Sequence, residues 1–345
     1  MRSVIACMNA LKNSKNIAIF CHTLPDADAL GSAVALKKLI RQYVATEEDP
    51  KQVDIFVDAE DISDVNAAII KNVQINVQNC EKYDISIAVD CASLSRMGKY
   101  AELFTQAPQT IQFDHHSTNE EYAENNLVVK KASSTCEVLH ILAQSQRYDL
   151  TEDILKLIYA GIITDTNNLT QGVITVRTHK IISDMIQKGV NVEALNDHFF
   201  KNNTKSKAYL LKQALDSLTF YAGERIAFMK LTKQDLAECD ATFEDTMGIV
   251  NHGIEIKGVD IAVLAIKQED NSYYVSLRGK NNVNVAQVAI ELGGGGSDKV
   301  AAFRYNGLLA DLKDQLIKSC KTELANHPIE DYSDQLFGSD EDILD

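Results

Sequence analysis

The chain has 345 residues, 45% of them hydrophobic, and a formal net charge of −15 from 49 acidic against 34 basic side chains. A chain of that size buries a substantial core and is expected to divide into two domains. Its acidity argues against long duplex nucleic acid as a partner, while short anions stay compatible wherever bound cations invert the local field.

The seven cysteines, Cys7, Cys21, Cys80, Cys91, Cys136, Cys239 and Cys320, form an odd set without a CxxC pair. That usage fits buried thiols in a reducing compartment better than a disulfide framework or a structural zinc site. The N-terminal MRSVIACMNALKNSKN is too interrupted for a signal peptide, and no apolar run approaches a membrane span. A cytoplasmic location without membrane contact is the expectation.

In chain order, NIAIFC (16–21) reads as a buried strand and ADALGSAVALKKLIRQY (27–43) as the helix after it. VDIFV (53–57), ISIAVD (85–90) and QTIQFD (109–114) are further strands, with a helix around 61–71. Short apolar runs alternating with helices predict a mostly parallel sheet covered on both faces. SSTCEVLHILAQSQR (133–147), TEDILKLIYAGIITDT (151–166) and residues 175–190 read as helices, the first opening on a Ser/Thr cap with Glu137 behind it and the last closed by Gly189. A polar stretch, NDHFFKNNTKSK, places a linker at 196–215 between a first domain, 1–195, and a second, 216–330. There RIAFMKL, DIAVLAIKQ, YYVSLRG and AAFRY read as strands of a smaller mixed α/β domain, with a helix before four glycines. The tail, 331–345, belongs to a stretch from Pro328 with seven acidic and no basic residues, the composition of a solvated or disordered segment.

The chemistry collects at strand ends. His22, Asp26 and Asp28 follow the first strand, Asp90 ends the third, and Asp114, His115 and His116 follow the fourth. Open α/β sheets place ligands outside the carboxyl ends of their strands, and Asp165 at the end of GIITD can converge there. Singly, Asp90 reads as a helix cap, His115 or His116 as a surface histidine, and Asp165 as a turn cap; the conjunction is what points to a site. So many carboxylates cannot be packed together without compensation, which two divalent cations supply. Mixed Asp and His ligands suit manganese, or zinc or iron, better than magnesium in an all-oxygen shell.

HTLPDADALGS, VDCASLSRMG, DHHSTN and GIITDT resemble the four motifs of the DHH phosphoesterase family, and VSLRG with LGGGGSDKVAAF resembles the nucleotide-binding part of its associated C-terminal domain. With ASSTCE and GVITVRT, the likeness extends over nearly the whole chain. The resemblance implies an α/β fold with a DHH catalytic domain, a DHH-associated domain and an active cleft between them. It implies a manganese-dependent phosphodiesterase that hydrolyses short oligoribonucleotides and dinucleotides to nucleoside 5′-monophosphates. Alternatives are a phosphatase for 3′-phosphoadenosine 5′-phosphate, an enzyme specialised for pApA or pGpG, and a nucleotide-binding protein without turnover.

Carried over by motif, His22, Asp26 and Asp90 would hold one metal, and Asp28, Asp90, His115 and Asp165 the other. The two ions are expected to be Mn2+, with Mg2+ or Co2+ as alternatives. His116 would face the phosphoryl group with Asp114 orienting the histidines, so Asp28, Asp90, Asp114 and His116 form the catalytic set. Arg96, Asn119, Arg278, the backbone N–H groups of Gly293, Gly294, Gly295 and Gly296, and Ser297 would bind substrate. Gly31 would let its helix start close to the phosphate. The chain departs from the family pattern at Ser297, where histidine is usual, at Ala302, where glycine is usual, and at Asn167 and Leu169 after DT, which puts the preferred substrate in doubt. A homodimer is the assembly considered.

Overall fold

The computed structural model describes residues 2–58, 62–268 and 272–327. The chain divides into two units that meet in sequence between Asn202 and Asn203.

The first unit runs α1 (Arg2–Asn13), β1 (Asn16–Phe20), α2 (Ala27–Leu39), β2 (Gln52–Phe56), α3 (Asp64–Ile70), β3 (Ile85–Val89), α4 (Ala101–Thr105), β4 (Gln109–Asp114), β5 (Asn125–Val128), α5 (Thr135–Ser145), α6 (Glu152–Asp165), α7 (Val176–Gln187) and α8 (Val192–Phe200). Its five strands lie in the order β2-β1-β3-β4-β5, every neighbouring pair parallel. Both faces of the sheet are covered, so strand residues are apolar on both sides and the period of two only decides which core each joins. Ile17 and Ile19 pack into the core shared with α2, α5 and α6, whereas Ala18 and Phe20 face the other way. There Phe20 stacks on Phe56 at 5.3 Å and meets the edge of Phe104 at 5.7 Å. The expected parallel α/β domain is what forms. β5 adds an unforeseen strand, because NNLV is too short and polar to stand out until β4 supplies its pairing.

The second unit runs α9 (Lys205–Asp216), β6 (Thr219–Tyr221), β7 (Ile226–Leu231), α10 (Lys233–Glu238), α11 (Ile249–Ile254), β8 (Ile261–Lys267), β9 (Ser272–Gly279), α12 (Val285–Glu291), β10 (Gly295–Gly296), β11 (Val300–Asn306) and α13 (Leu309–Asn326). Its sheet has the order β10-β11-β9-β8-β7-β6, mixed as expected, with only β7 and β8 parallel. The stretch 196–215 is largely helical, carrying the end of α8 and most of α9, and Thr204 caps α9 through the Lys207 N–H. The acidic segment from Pro328 lies outside the described residues.

In the four-glycine run, which the sequence reads as a nest of amide groups, the first two amides are engaged by the helix before them. Gly293, at φ +84°, donates to the Ile290 carbonyl at 3.1 Å and Gly294 to that of Ala289 at 2.8 Å, so both close the C-terminus of α12 in a Schellman turn. Gly295 and Gly296 pair with Ala302 and Ala301 of β11. Side chains at 294 or 296 would collide with β11, so glycine here serves backbone approach rather than mobility.

All seven cysteines are free thiols. Among the described residues, no helix is long and apolar enough to cross a membrane.

Candidate active site

The strand order reverses at β1, from which the chain goes to β2 on one side and then to β3 on the other. Such a switch point opens a crevice at the carboxyl ends of the two central strands. His22 leaves β1 there, Asp90 leaves β3, and Asp114 ends the neighbouring β4.

Asp90 is the centre of the cluster. It is almost fully buried, and its φ of +55° lies in the left-handed region that Asp tolerates better than most residues. Its Oδ2 stands 3.6 Å from His22 Nε2 and its Oδ1 3.6 Å from His115 Nε2, while Oδ1 also accepts from Thr135 Oγ1 at 2.9 Å. His22 donates through Nδ1 to the Thr23 carbonyl at 2.6 Å, which leaves Nε2 free to act as a ligand beside Asp90 and, at 4.0 Å, Asp26. Asp26 divides its work. Its Oδ1 caps α2 by accepting from the Asp28 and Ala29 N–H groups, and its Oδ2 faces His22.

Asp28 is buried in the first turn of α2 and accepts one amide on each oxygen, from Thr135 at 2.6 Å and Cys136 at 2.9 Å. Those are the first amides of α5, whose N-terminal dipole favours the carboxylate. Ser134 caps that helix by accepting the Glu137 N–H. The Glu137 carboxylate turns past the cap to the Ser133 N–H and hydroxyl, Thr178 Oγ1 at 3.0 Å and Arg177 Nε at 2.5 Å. Gly31 serves helix packing rather than phosphate approach, since a Cβ there would press on the Leu157 carbonyl of α6 at 2.9 Å.

Asp114 is fully buried and organises the fourth strand end. Its Oδ1 accepts from the His115 N–H, the His116 N–H and His116 Nδ1, the last at 2.7 Å, and its Oδ2 accepts from Asn119 Nδ2 at 2.8 Å. Asn119 also accepts the Glu121 N–H, so both ends of its amide steady the loop. Asp165 ends α6 with Oδ2 3.2 Å from His115 Nε2, a carboxylate at the unfavourable end of a helix dipole. Behind it Asn167, Asn168 and Leu169 all adopt left-handed φ, which explains why glycine is at home in this turn. Arg96 is exposed, and its carbonyl accepts the Thr23 N–H at 2.8 Å, tying its loop to that of His22. Arg278 and Ser297 lie in the second unit.

The electrostatics call for cations. Burial raises the Asp28 pKa well above the carboxylate range, reinforced by Asp90 and Asp165, and burial with Asp90 and Asp26 does the same to Asp165. Burial would raise Asp90 as well, but the bond to His22 and the fields of His116 and His115 hold it below that range. His116 is pushed up to about 9, because Asp114 and Asp90 outweigh a burial effect of opposite sign. The ion-pair partners of Asp26, Asp90 and Asp165 among the described residues are histidines alone. Ligand atoms of His22, Asp26 and Asp90 lie within 4.8 Å of one another, as do those of Asp28, His115 and Asp165, and those of Asp90, Asp114, His115 and His116. This donor set fits divalent metal ions.

The sequence reading missed the Thr135 hydroxyl and the two α5 amides, although the segment stood within a matched motif. Only the Ser/Thr-rich start of α5 hinted at them. The reading placed Glu137 behind the cap of this helix, as found, but missed Arg177 and Thr178 as partners of its carboxylate.

Residues 16–162 match the DHH family N-terminal domain and residues 227–326 the DHHA1 domain. The chain is 26% identical over 330 residues to a bifunctional oligoribonuclease and PAP phosphatase of Thermus thermophilus, covering 94% of each chain. It is 27% identical over 297 residues to a probable enzyme of the same kind from Streptococcus mutans, covering 83% of this chain and 88% of that one. An exopolyphosphatase-related protein from Bacteroides fragilis shares the fold with a TM-score of 0.78 at 20% identity, over 94% of this chain and 96% of that one. The chain belongs to the DHH phosphoesterases, hydrolases acting on phosphoester bonds, with a DHHA1 domain behind its DHH domain.

Proposed function

We propose that the protein is a manganese-dependent phosphodiesterase that hydrolyses short oligoribonucleotides and dinucleotides to nucleoside 5′-monophosphates. The observation that carries this reading is Asp90, whose two carboxylate oxygens each face a different histidine at 3.6 Å. A carboxylate so placed suits two cations held side by side by His22 and Asp26 on one flank and Asp28, His115 and Asp165 on the other. Divalent ions bound there supply Lewis-acid polarisation of the phosphate and charge to offset the carboxylates. The printed names of the Thermus and Streptococcus relatives support the substrate class.

The chain's own groups do the rest. Asp114 holds His116 by Nδ1, leaving Nε2 to donate to a phosphoryl oxygen as charge develops on it. Water adds to phosphorus, the P–O3′ bond breaks, and the departing 3′ oxygen takes up a proton. Arg96 is proposed as a further phosphate contact. A second reading, hydrolysis of 3′-phosphoadenosine 5′-phosphate, is favoured by the same relatives' bifunctional names and needs no different residues.

Mononucleotide release should be compared for 5′-phosphorylated RNA dinucleotides, a strand of about 24 nucleotides and 3′-phosphoadenosine 5′-phosphate, with Mn2+ or Mg2+. Rapid turnover of the dinucleotides with Mn2+ and slow turnover of the long strand is expected. Equal turnover of both lengths overturns the short-substrate reading.

A further inference from the structure

The chain that leads into α5 is pinned by charge and hydrogen bonds. Glu137 is fully buried, and its Oε2 accepts from the Ser133 N–H at 3.1 Å, from the Ser133 hydroxyl and from Thr178 Oγ1 at 3.0 Å, while its Oε1 accepts from Arg177 Nε at 2.5 Å. Arg177 donates through Nη2 to the Lys131 carbonyl at 2.6 Å as well. One guanidinium thus holds residue 131 directly and residue 133 through Glu137. A buried ion pair is seldom more stable than an apolar pair of the same shape, so packing alone does not account for this one.

Both ends of the tie lead to the same flank of the site. On the α5 side, the Thr135 and Cys136 N–H groups hold the two oxygens of Asp28, and the Thr135 hydroxyl holds Asp90 Oδ1, the oxygen that faces His115. On the α7 side, the chain reaches Arg177 from Asp165 through a turn that doubles back. The Thr170 and Gln171 N–H groups there donate to the Thr166 carbonyl, and a Cβ at Gly172 would stand 3.6 Å from the Asp165 carbonyl oxygen. Thr175 and Thr178 then close the start of α7 with a capping box. The opposite flank is held by other bonds, from His22 Nδ1 to the Thr23 carbonyl and from the first amides of α2 to Asp26.

We propose that Arg177 is a positioning residue for one half of the metal centre. By holding Glu137 and the Lys131 carbonyl together it sets the spacing of Asp28 from Asp165, and with it the affinity of Asp28, His115 and Asp165 for their divalent ion, while the flank of His22 and Asp26 is left alone. Partners that orient metal ligands commonly carry about 10- to 100-fold in metal affinity. The inference rests on the two-cation site of the proposed phosphodiesterase, but a metal titration without substrate measures it separately.

Mn2+ should be titrated into the metal-free full chain, with the free ion read by electron paramagnetic resonance. Wild type should bind two ions. Arg177→Gln should weaken one about tenfold and leave the other unchanged, and Arg177→Lys, which keeps the charge but cannot span both acceptors, should fall between. In an Asp165→Asn background, where that flank is already broken, Arg177→Gln should change no remaining affinity. On a 5′-phosphorylated RNA dinucleotide, the Mn2+ concentration for half-maximal turnover should rise about tenfold in Arg177→Gln, with KM and kcat at saturating Mn2+ as in wild type.

Two unchanged affinities, equal weakening of both ions, or a further loss in the Asp165→Asn background overturn the role of Arg177. Should Arg177→Gln fail to fold, the same comparison with Arg177→Lys decides. A wild type that binds a single ion overturns this proposal together with the two-cation reading. If wild type binds two ions but cleaves no dinucleotide, the phosphodiesterase reading fails while the titration still decides Arg177.

Discussion

Gly161 of α6 lies directly against the Asp28 carboxylate of α2, so close that a Cβ at 161 would overlap Asp28 Oδ1 and the Cys136 side chain. The missing side chain is what lets Asp28 reach the two α5 amides. Gly161→Ala should therefore push the carboxylate off its amides, lowering bound divalent metal and cutting kcat at least about tenfold. The same change favours α-helix by about 1 kcal/mol, which keeps the domain folded as the site is disturbed. Metal analysis alongside turnover checks this; full metal content and wild-type kcat count against it.

Asp90→Asn keeps the shape and Thr135 contact of Asp90 but removes the charge shared between His22 and His115. Turnover is expected to fall at least about 100-fold, with a loss of tightly bound metal. Thermal unfolding without metal should come at a lower temperature, since the histidines hold the Asp90 carboxylate below the usual range and the fold therefore draws stability from its charge. An Asp90→Asn protein with full metal content and activity would refute the central role assigned to this residue.

The Glu137 network makes a pH-dependent contribution. Burial tends to raise its pKa from 4.5, but Ser133, Arg177 and Thr178 together hold it lower. A depressed carboxylate adds stability that is fully present above about pH 4.5 and is lost as pH falls through the folded-state pKa. Glu137→Gln should cost about 2 kcal/mol at neutral pH. The gap between wild type and variant, followed by urea unfolding, should narrow as pH drops below that value. A gap independent of pH would show that packing, not charge, is what Glu137 contributes.

Two neighbours in the glycine run should behave oppositely. Gly296 has φ +152° and lies against the Val300 carbonyl and Ala301, whereas a Cβ at Gly295 meets nothing within 4 Å. Gly296→Ala should destabilise by about 1–3 kcal/mol and Gly295→Ala by less than about 0.5 kcal/mol. Differential unfolding of the two variants checks this. A freely flexible run would tolerate both equally.

The strands and their terminal Asp and His residues were legible because apolar runs between helices specify a parallel sheet, and such a sheet puts its strand ends on one side. Close approaches were not legible. Gly31 and Gly161 look alike in sequence, yet one admits a carbonyl and the other a carboxylate, a distinction fixed only when α2, α5 and α6 pack. The amides holding Asp28 belong to residues 107 and 108 positions away in sequence, and a backbone donor leaves no side-chain signature. In the glycine run, likewise, composition shows that amides are unhindered, not that the end of α12 already uses those of Gly293 and Gly294.

The turn after that run closes on itself, with the Ser297 N–H donating to the Val300 carbonyl at 2.7 Å and the Val300 N–H returning to Ser297 at 3.2 Å. The path of the chain is thus written in its glycines and in the ladder to β11, and residue 297 rides on it as a replaceable tip. The backbone bonds of this turn need no particular side chain at 297, so an imidazole or a hydroxyl can stand at the tip while the path of the chain stays the same.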